Sequence, residues 1–384
     1  SSLSGTITNA QLAGSIANSK LSNNTVAFGG VSLALGGSDA TPAFDLSDAT
    51  NIPAGQLTGT VADARISTLT ASKLTGALPA IDGSNLQNLP AGGATSINGL
   101  SDGVVDGTNL GLGSGALASR SGAPADNVAV GANAMDFGTV SGTKNTAIGS
   151  AAGLVFTSGS SNTFLGYYAG RQATTGNSNT LVGGQSGYSF TTHGENTAVG
   201  EGSAYGCTGE RNTILGRQAS YGTGSRNDNV NLGYRAGFNQ TTSSDCIMIG
   251  SEAGNSQTTG DDNIAIGKHA AYYGFGTNTS QNHSNIAIGT ETLRGSSGNR
   301  WENVVIGHAA GYTLGTGYKN CLIGRGAAYF GNFMNECVII GHTSGANTLY
   351  GPEVFIGYES GKNNTTGQYN NCIGYKSAAN LTTG

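Results

Sequence analysis

Sixteen times between residues 113 and 374, at spacings of 16 to 22 residues, the chain sets a glycine directly behind Val, Ile or Leu: at Gly113, Gly131, Gly149, Gly166, Gly183, Gly200, Gly216, Gly233, Gly250, Gly267, Gly289, Gly307, Gly324, Gly341, Gly357 and Gly374. Nine of the fifteen gaps are 17 residues, and a single one is as long as 22. Four places before this anchor, thirteen copies carry Asn; Cys246, Cys337 and Glu353 are the exceptions. Three places after it, every copy carries Ala, Ser or Thr. A fixed period of this length belongs to stacked supersecondary units, each of which needs its neighbours to bury a core.

Phrases such as "TAIG" and "IAIG" read as short strands, so the residues one and three places before the anchor share a face. The outer member of that pair runs Thr146, Thr163, Thr180, Thr197 and Thr213, then Val230, Ile247, Ile264 and Ile286, mostly β-branched residues suited to a pleated surface. The middle residue points the other way and is also largely apolar: Ala147, Phe164, Leu181, Ile214, Met248, Val305, Ile339, Phe355. A strand apolar on both sides must be covered on both. A coil of about 17 residues has a thin interior that takes one side, and the other requires a partner outside the coil. Because the threonines share their face with the invariant aliphatic column, that face is expected to turn inward, which argues against an ice-binding array. The anchor glycines suit corners where backbone meets backbone, and Asn at matching heights suits an amide ladder. At about 4.8 Å per stacked strand, sixteen coils make a rod of roughly 75–80 Å.

Composition excludes several alternatives. Only 10% of residues are charged, the net charge is −5, and Gly numbers 65. No basic cluster exists to neutralise phosphates, so nucleic-acid binding is not expected. No apolar run reaches the length needed to span a bilayer, so membrane insertion is not expected either. Five cysteines without a CxxC pair read as small apolar residues rather than a metal or redox centre. Cofactors are not expected.

The first hundred residues lack the 17-residue rule. A looser phrase recurs there as "LSGTI" (3–7), "LAGSI" (12–16), "LTGTV" (57–61) and "LTGAL" (74–78), with two strands expected inside 23–53 and a joint at 78–94. The predicted organisation is all-β. A β-rich, intertwined N-terminal stalk over 1–95 precedes a parallel β-solenoid or β-roll of about sixteen coils over 96–384.

The copies "NTAIGSAAG" and "NIAIGKHAA" resemble the head repeats of YadA-type trimeric autotransporter adhesins, over about residues 109–384. The N-terminal stretches 7–53 and 71–86 resemble tail-fibre proteins of tailed bacteriophages. These resemblances imply a homotrimer and a virion structural fibre, partnered by other tail or baseplate proteins at one end and by a host surface glycan or protein at the other. A bacterial trimeric surface adhesin is the alternative, and a polysaccharide depolymerase a third reading. Neither a secretion signal nor a membrane-anchor barrel is recognisable, which favours the virion.

Catalytic residues are not expected. The carboxylates a depolymerase would need, Glu195, Glu201, Glu210, Asp245, Asp261, Asp262 and Glu291, read as turn charges that form no column along a groove. His308 and His342 each follow an anchor, where a symmetric assembly would gather copies. Seven aromatics five places past the anchor, from Tyr188 to Tyr329, read as a structural ladder. The 22-residue copy holds the one clear insertion, so Tyr272, Tyr273, Phe275, Asn278 and His283, together with the lone Trp301, are the candidate receptor contacts.

Overall fold

A computed structural model of the chain describes residues 25–28, 31–34, 103–119, 125–276, 282–295 and 298–383. The chain divides into two compact units, Ser1–Asn85 and Leu86–Gly384. In the first, Thr25–Phe28 pairs antiparallel with Val31–Ala34, in register from Thr25 opposite Ala34 to Phe28 opposite Val31. These are the two strands expected within 23–53. The rest of the expected stalk, and the joint at 78–94, lie outside the described residues.

In the second unit, Gly103–Asp106 pairs antiparallel with Asn109–Leu112, and from there every step is parallel. Sixteen strands, one before each anchor glycine, follow one another in chain order up to Asn371–Ile373 and wind about fifteen full coils. Register never slips: Thr146 lies opposite Thr163, Ile148 opposite Leu165, and Ile264 opposite Ile286 across the 22-residue copy. A second, three-stranded parallel sheet, Arg300–Trp301, Thr316–Tyr318 and Phe333–Asn335, forms where the turns lengthen. The fold is a parallel β-solenoid, without a helix among the described residues.

The anchor glycine ends each three-residue strand and closes a corner. Gly216 has φ +140°, and a Cβ placed on it would sit 2.3 Å from the carbonyl oxygen of Gly233 one coil on. The same contact repeats between Gly233 and Gly250 and between Gly250 and Gly267. Only glycine allows both the conformation and the approach. The turns on either side are left-handed at residues other than glycine, as at Asp245 (φ 55°) and Glu252 (φ 57°), a feature the glycine pattern alone does not reveal.

One expectation is reversed. The middle residue of each strand faces the interior and is completely buried, as at Ala147, Phe164, Leu181, Ile214, Met248 and Val305. The invariant aliphatic column and the threonines face outward and are half-buried or exposed. The inside is filled by the middle residue together with the residue nine places further on, and in several coils a large one accompanies a small one, although Leu181 with Phe190 and Val305 with Leu314 are both large. Ala147 accompanies Phe156, Phe164 accompanies Ala173, and Ala198 accompanies Cys207, all buried. Phe156 meets Phe164 edge-on, with ring centroids 5.6 Å apart. Such exchange of large and small side chains keeps the narrow interior close-packed.

At one height the pair is polar, and there the apolar core divides in two. One cluster ends at Ala219 and the next begins at Ala236. Between them Asn231 donates to Gln240 Oε1 at 2.6 Å, and the buried Arg226 donates to the carbonyls of Ser220 (3.0 Å), Gly222 (2.8 Å) and Gln240. A second interior arginine, Arg300, holds the carbonyls of Gly315, Gly274 and Gly295 at 3.1, 3.0 and 2.9 Å. Burial pulls its pKa down to about 10.

The Asn column forms the expected ladder. From Asn127 to Asn212 and from Asn263 to Asn303 each Asn side-chain oxygen accepts twice from the next coil: Asn179 Oδ1 takes the backbone N–H of Asn196 (3.1 Å) and its side-chain amide (3.2 Å). The Asn179 amide in turn donates to the His193 carbonyl at 2.9 Å. The ladder runs from Asn109 to Asn229 and again from Asn263 to Asn320, and the residues at its breaks fit in different ways. Cys246 and Cys337 donate their backbone N–H to the last oxygens, Asn229 Oδ1 and Asn320 Oδ1, both at 3.0 Å. Glu353 replaces the amide by a carboxylate that accepts from the Asn370 N–H at 2.9 Å, and desolvation raises its pKa. Substituting Asn179 with Ala strands the buried Asn196 N–H and the His193 carbonyl, while the Asn196 amide keeps the Gly194 and Gly209 carbonyls. A loss of about 3 kcal/mol is expected, read as an earlier thermal unfolding transition.

Candidate interaction surface

The two outward columns make a flat parallel β-surface along the solenoid. From Thr146 to Leu215 it alternates Thr with an aliphatic residue, and Ile148, Leu165 and Leu215 are 38, 42 and 40% exposed. From Val230 onward both columns are aliphatic except at Cys321 and, in the last strand, Asn371. Ile247 and Ile249, Ile264 and Ile266, and Ile286 and Ile288 stand side by side, all half-buried and stacked in register. Stacking along the column hides half of each side chain and leaves the other half facing out.

The aromatic column is a ladder, as its spacing predicts. Tyr188, Tyr205, Tyr221 and Phe238 stack with centroids 4.9, 4.8 and 5.3 Å apart. Its end rings are covered by guanidinium groups, Arg171 lying 5.6 Å from the Tyr188 centroid and Arg235 4.8 Å from that of Phe238. Farther along, Arg294 takes an aromatic's place in the column between Tyr272 and Tyr312, 5.8 Å from each centroid. Rings that stack on one another present edges rather than faces, which leaves the column a stiffening role.

The insertion residues do not converge. Phe275 is completely buried in the core, its N–H bound to Gln257 Oε1 at 2.7 Å, and so forms no part of a contact surface. Tyr272 is half-buried in the ladder, packed on His269 and Tyr273. Tyr273 is 48% exposed. His283 and Trp301 occupy successive coils six places before their anchors, on the opposite side of the strand from Tyr272 and Tyr273. Trp301 stacks on Tyr318 at 4.4 Å. Asn278 lies outside the described residues. Nearby, Phe333 and Tyr350 form an exposed stacked pair, 50 and 38% exposed, with Phe330 51% exposed. Unequal copy lengths at 289–307 mark the start of this second sheet; Trp301 and Tyr318 share the position six places before their anchors, whereas Phe330, Phe333 and Tyr350 follow no repeat column.

Three of the seven turn carboxylates, Glu195, Asp245 and Asp262, fall in one column with Asp228, Glu302 and Glu336, while Glu201, Glu210, Asp261 and Glu291 stand outside it. Glu195, Asp228, Asp245, Asp262, Glu302 and Glu336 all stand five places before an anchor, exposed, at the N-terminal end of each strand. Desolvation and the neighbouring Asp228, Asp262 and Asp261 raise the pKa of Asp245. All five cysteines are free, and burial pushes the Cys246 and Cys337 thiols to about 12, far from a reactive thiolate. His308 and His342 are exposed, and His342 lies flat against Tyr358 at 5.4 Å. Among the described residues no three His, Cys, Asp or Glu side chains gather as metal ligands would, and no helix is long and apolar enough to cross a membrane.

Compared with known proteins, the chain matches no family model, no curated protein and no solved structure.

Proposed function

We propose that the chain is the shaft of a homotrimeric virion tail fibre, a non-enzymatic rod that projects from the particle and helps it adsorb to the host cell surface. One observation carries the reading: the outward β-surface of the solenoid presents an aliphatic residue at every coil, and from Val230 almost only aliphatics, half-exposed in a single copy. Contiguous apolar surface of this extent marks an association site, and a solenoid with one such side is covered by siblings packed along its axis. The trimeric number and the virion setting rest on the resemblances of 109–384 and of the N-terminal stretches.

The outward threonines invite comparison with an ordered-water surface. Each is paired with Ile, Leu or Val, however, and the threonines give way to aliphatics from Val230 onward, which suits a protein partner better. The YadA-like repeats equally suit a bacterial surface adhesin, and antibody labelling of intact virions against host cells separates the two settings. The deciding measurement is the mass of the native particle in solution. Three chains are expected; a stable single chain overturns the reading.

A further inference from the structure

The two borders of the outward face carry opposite charges. At the N-terminal end of the strands, between the coils of Gly250 and Gly341, Asp245, Asp262, Glu302 and Glu336 are exposed and make no ion pair among the described residues. At the C-terminal end, directly after the anchors, stand Lys268, His308, Arg325 and His342, all exposed. Among the described residues Lys268 and Arg325 have no carboxylate partner, and Arg325 lies 3.2 Å from His342 Nε2. The carboxylates nearest this border, Glu252 and Glu291, are engaged by His269 at 2.9 and 4.0 Å. Among the described residues of the preceding coils Arg211 rests on Asp228 at 2.7 Å and Arg217 on Glu201 at 2.9 Å, while Asp126, Lys144 and Glu195 stand exposed at the N-terminal border. Both borders carry charge together from Asp245 to His342, along the stretch where the outward face is almost wholly aliphatic.

We propose that copies of the chain associate with the same polarity and in register, the acidic border of one outward face lying against the basic border of the next. The inference rests on the homotrimeric reading and names how its contacts are made. Rotation about an axis parallel to the solenoid brings left border to right border, so that Asp262 of one copy meets Lys268 of another at the height of Gly267. An antiparallel arrangement sets acidic against acidic, where like charges repel. At the coil of Gly324 both borders are cationic, through Lys319 and Arg325. There Glu302 and Glu336, about 4.8 Å below and above, supply the opposite charge. Interdigitated aliphatics contribute the affinity, and the charged borders set polarity and register.

The test joins cross-linking to mass. In a chain carrying Cys321→Ser and Cys372→Ser, the substitutions Asp262→Cys and Lys268→Cys are introduced singly and together, and the native particle is treated with a short bis-maleimide. The double variant is expected to give covalent species of two and three chains, and each single variant none. A trimer by mass in which Asp262→Cys alone cross-links, or the double variant does not, overturns the border pairing and leaves the trimer standing. A particle of one chain removes the trimeric reading itself. As a second measurement that leaves the cysteines untouched, Asp262→Lys is expected to weaken assembly at least tenfold and Lys268→Asp on the same chain to restore it. Failure of the restored pair counts against the proposal.

Discussion

Replacing Gly216 with alanine is expected to destabilise the rod by on the order of 3 kcal/mol or more, because two penalties coincide. At φ +140° the backbone lies in a region that side-chain-bearing residues avoid, and the added Cβ falls 2.3 Å from the Gly233 carbonyl oxygen. That oxygen is fixed by the corner of its own coil, so the collision is relieved only by parting two stacked coils. Gly374 supplies the control: its φ is +124°, yet nothing lies within 4 Å of the added atom. Alanine there incurs the conformational penalty alone. Thermal unfolding of the two variants side by side should show a large shift for the first and a small one for the second. Equal shifts would mean that the close approach of stacked corners is not what selects glycine.

The second large effect concerns assembly. Aspartate at Ile266 and Ile288, two neighbouring positions of the outward face, is expected to dissociate the particle while each chain keeps its fold. The positions are half-buried in one copy, so the cost within a chain is small. Closed against siblings, the same carboxylates become buried and unpaired, worth several kcal/mol each, and each 1.4 kcal/mol is a tenfold change in the dissociation constant. A rise of more than a hundredfold should appear as a fall in mass by light scattering, with the β-sheet circular dichroism unchanged. Aspartate at Ala265, between the same coils but facing inward and fully buried, should instead destroy the fold. If the outward pair leaves the mass unaltered, the face is not an interface.

Much of this architecture is legible in the sequence because a stacked fold writes each contact once per period. The three-residue strand, the corner glycine, the Asn ladder and the Tyr column each stand out as a column, and each performs the same contact at every height. The inward side is not legible from the same rule. Alternation says that Thr146 and Ile148 share a side, but not which side is in. Invariance of the aliphatic column suggests the interior, yet an outward column meets its own kind above and below and so tends to stay uniform. An inward column exchanges volume with a second position in its own coil and therefore varies. The pairs Ala147 with Phe156, Phe164 with Ala173, and Asn231 with Gln240 carry that signal, nine residues apart. Site candidates were harder to read because a residue inside an insertion is not thereby outside the core: Phe275 turns inward and fills the space beside Gln257. The carboxylates Asp228, Asp245 and Asp262 look scattered until they are counted from the anchors, when they fall into one line.

Since every coil bonds only to the one before and the one after, with the same corner and the same ladder, the structure has no intrinsic length. Gain or loss of a whole 17-residue unit leaves every remaining contact chemically as it was. Reach can therefore be altered in increments of about 4.8 Å by recombination between the copies themselves. In a lineage of such rods, span would behave as a counted quantity, adjustable without any new fold being invented.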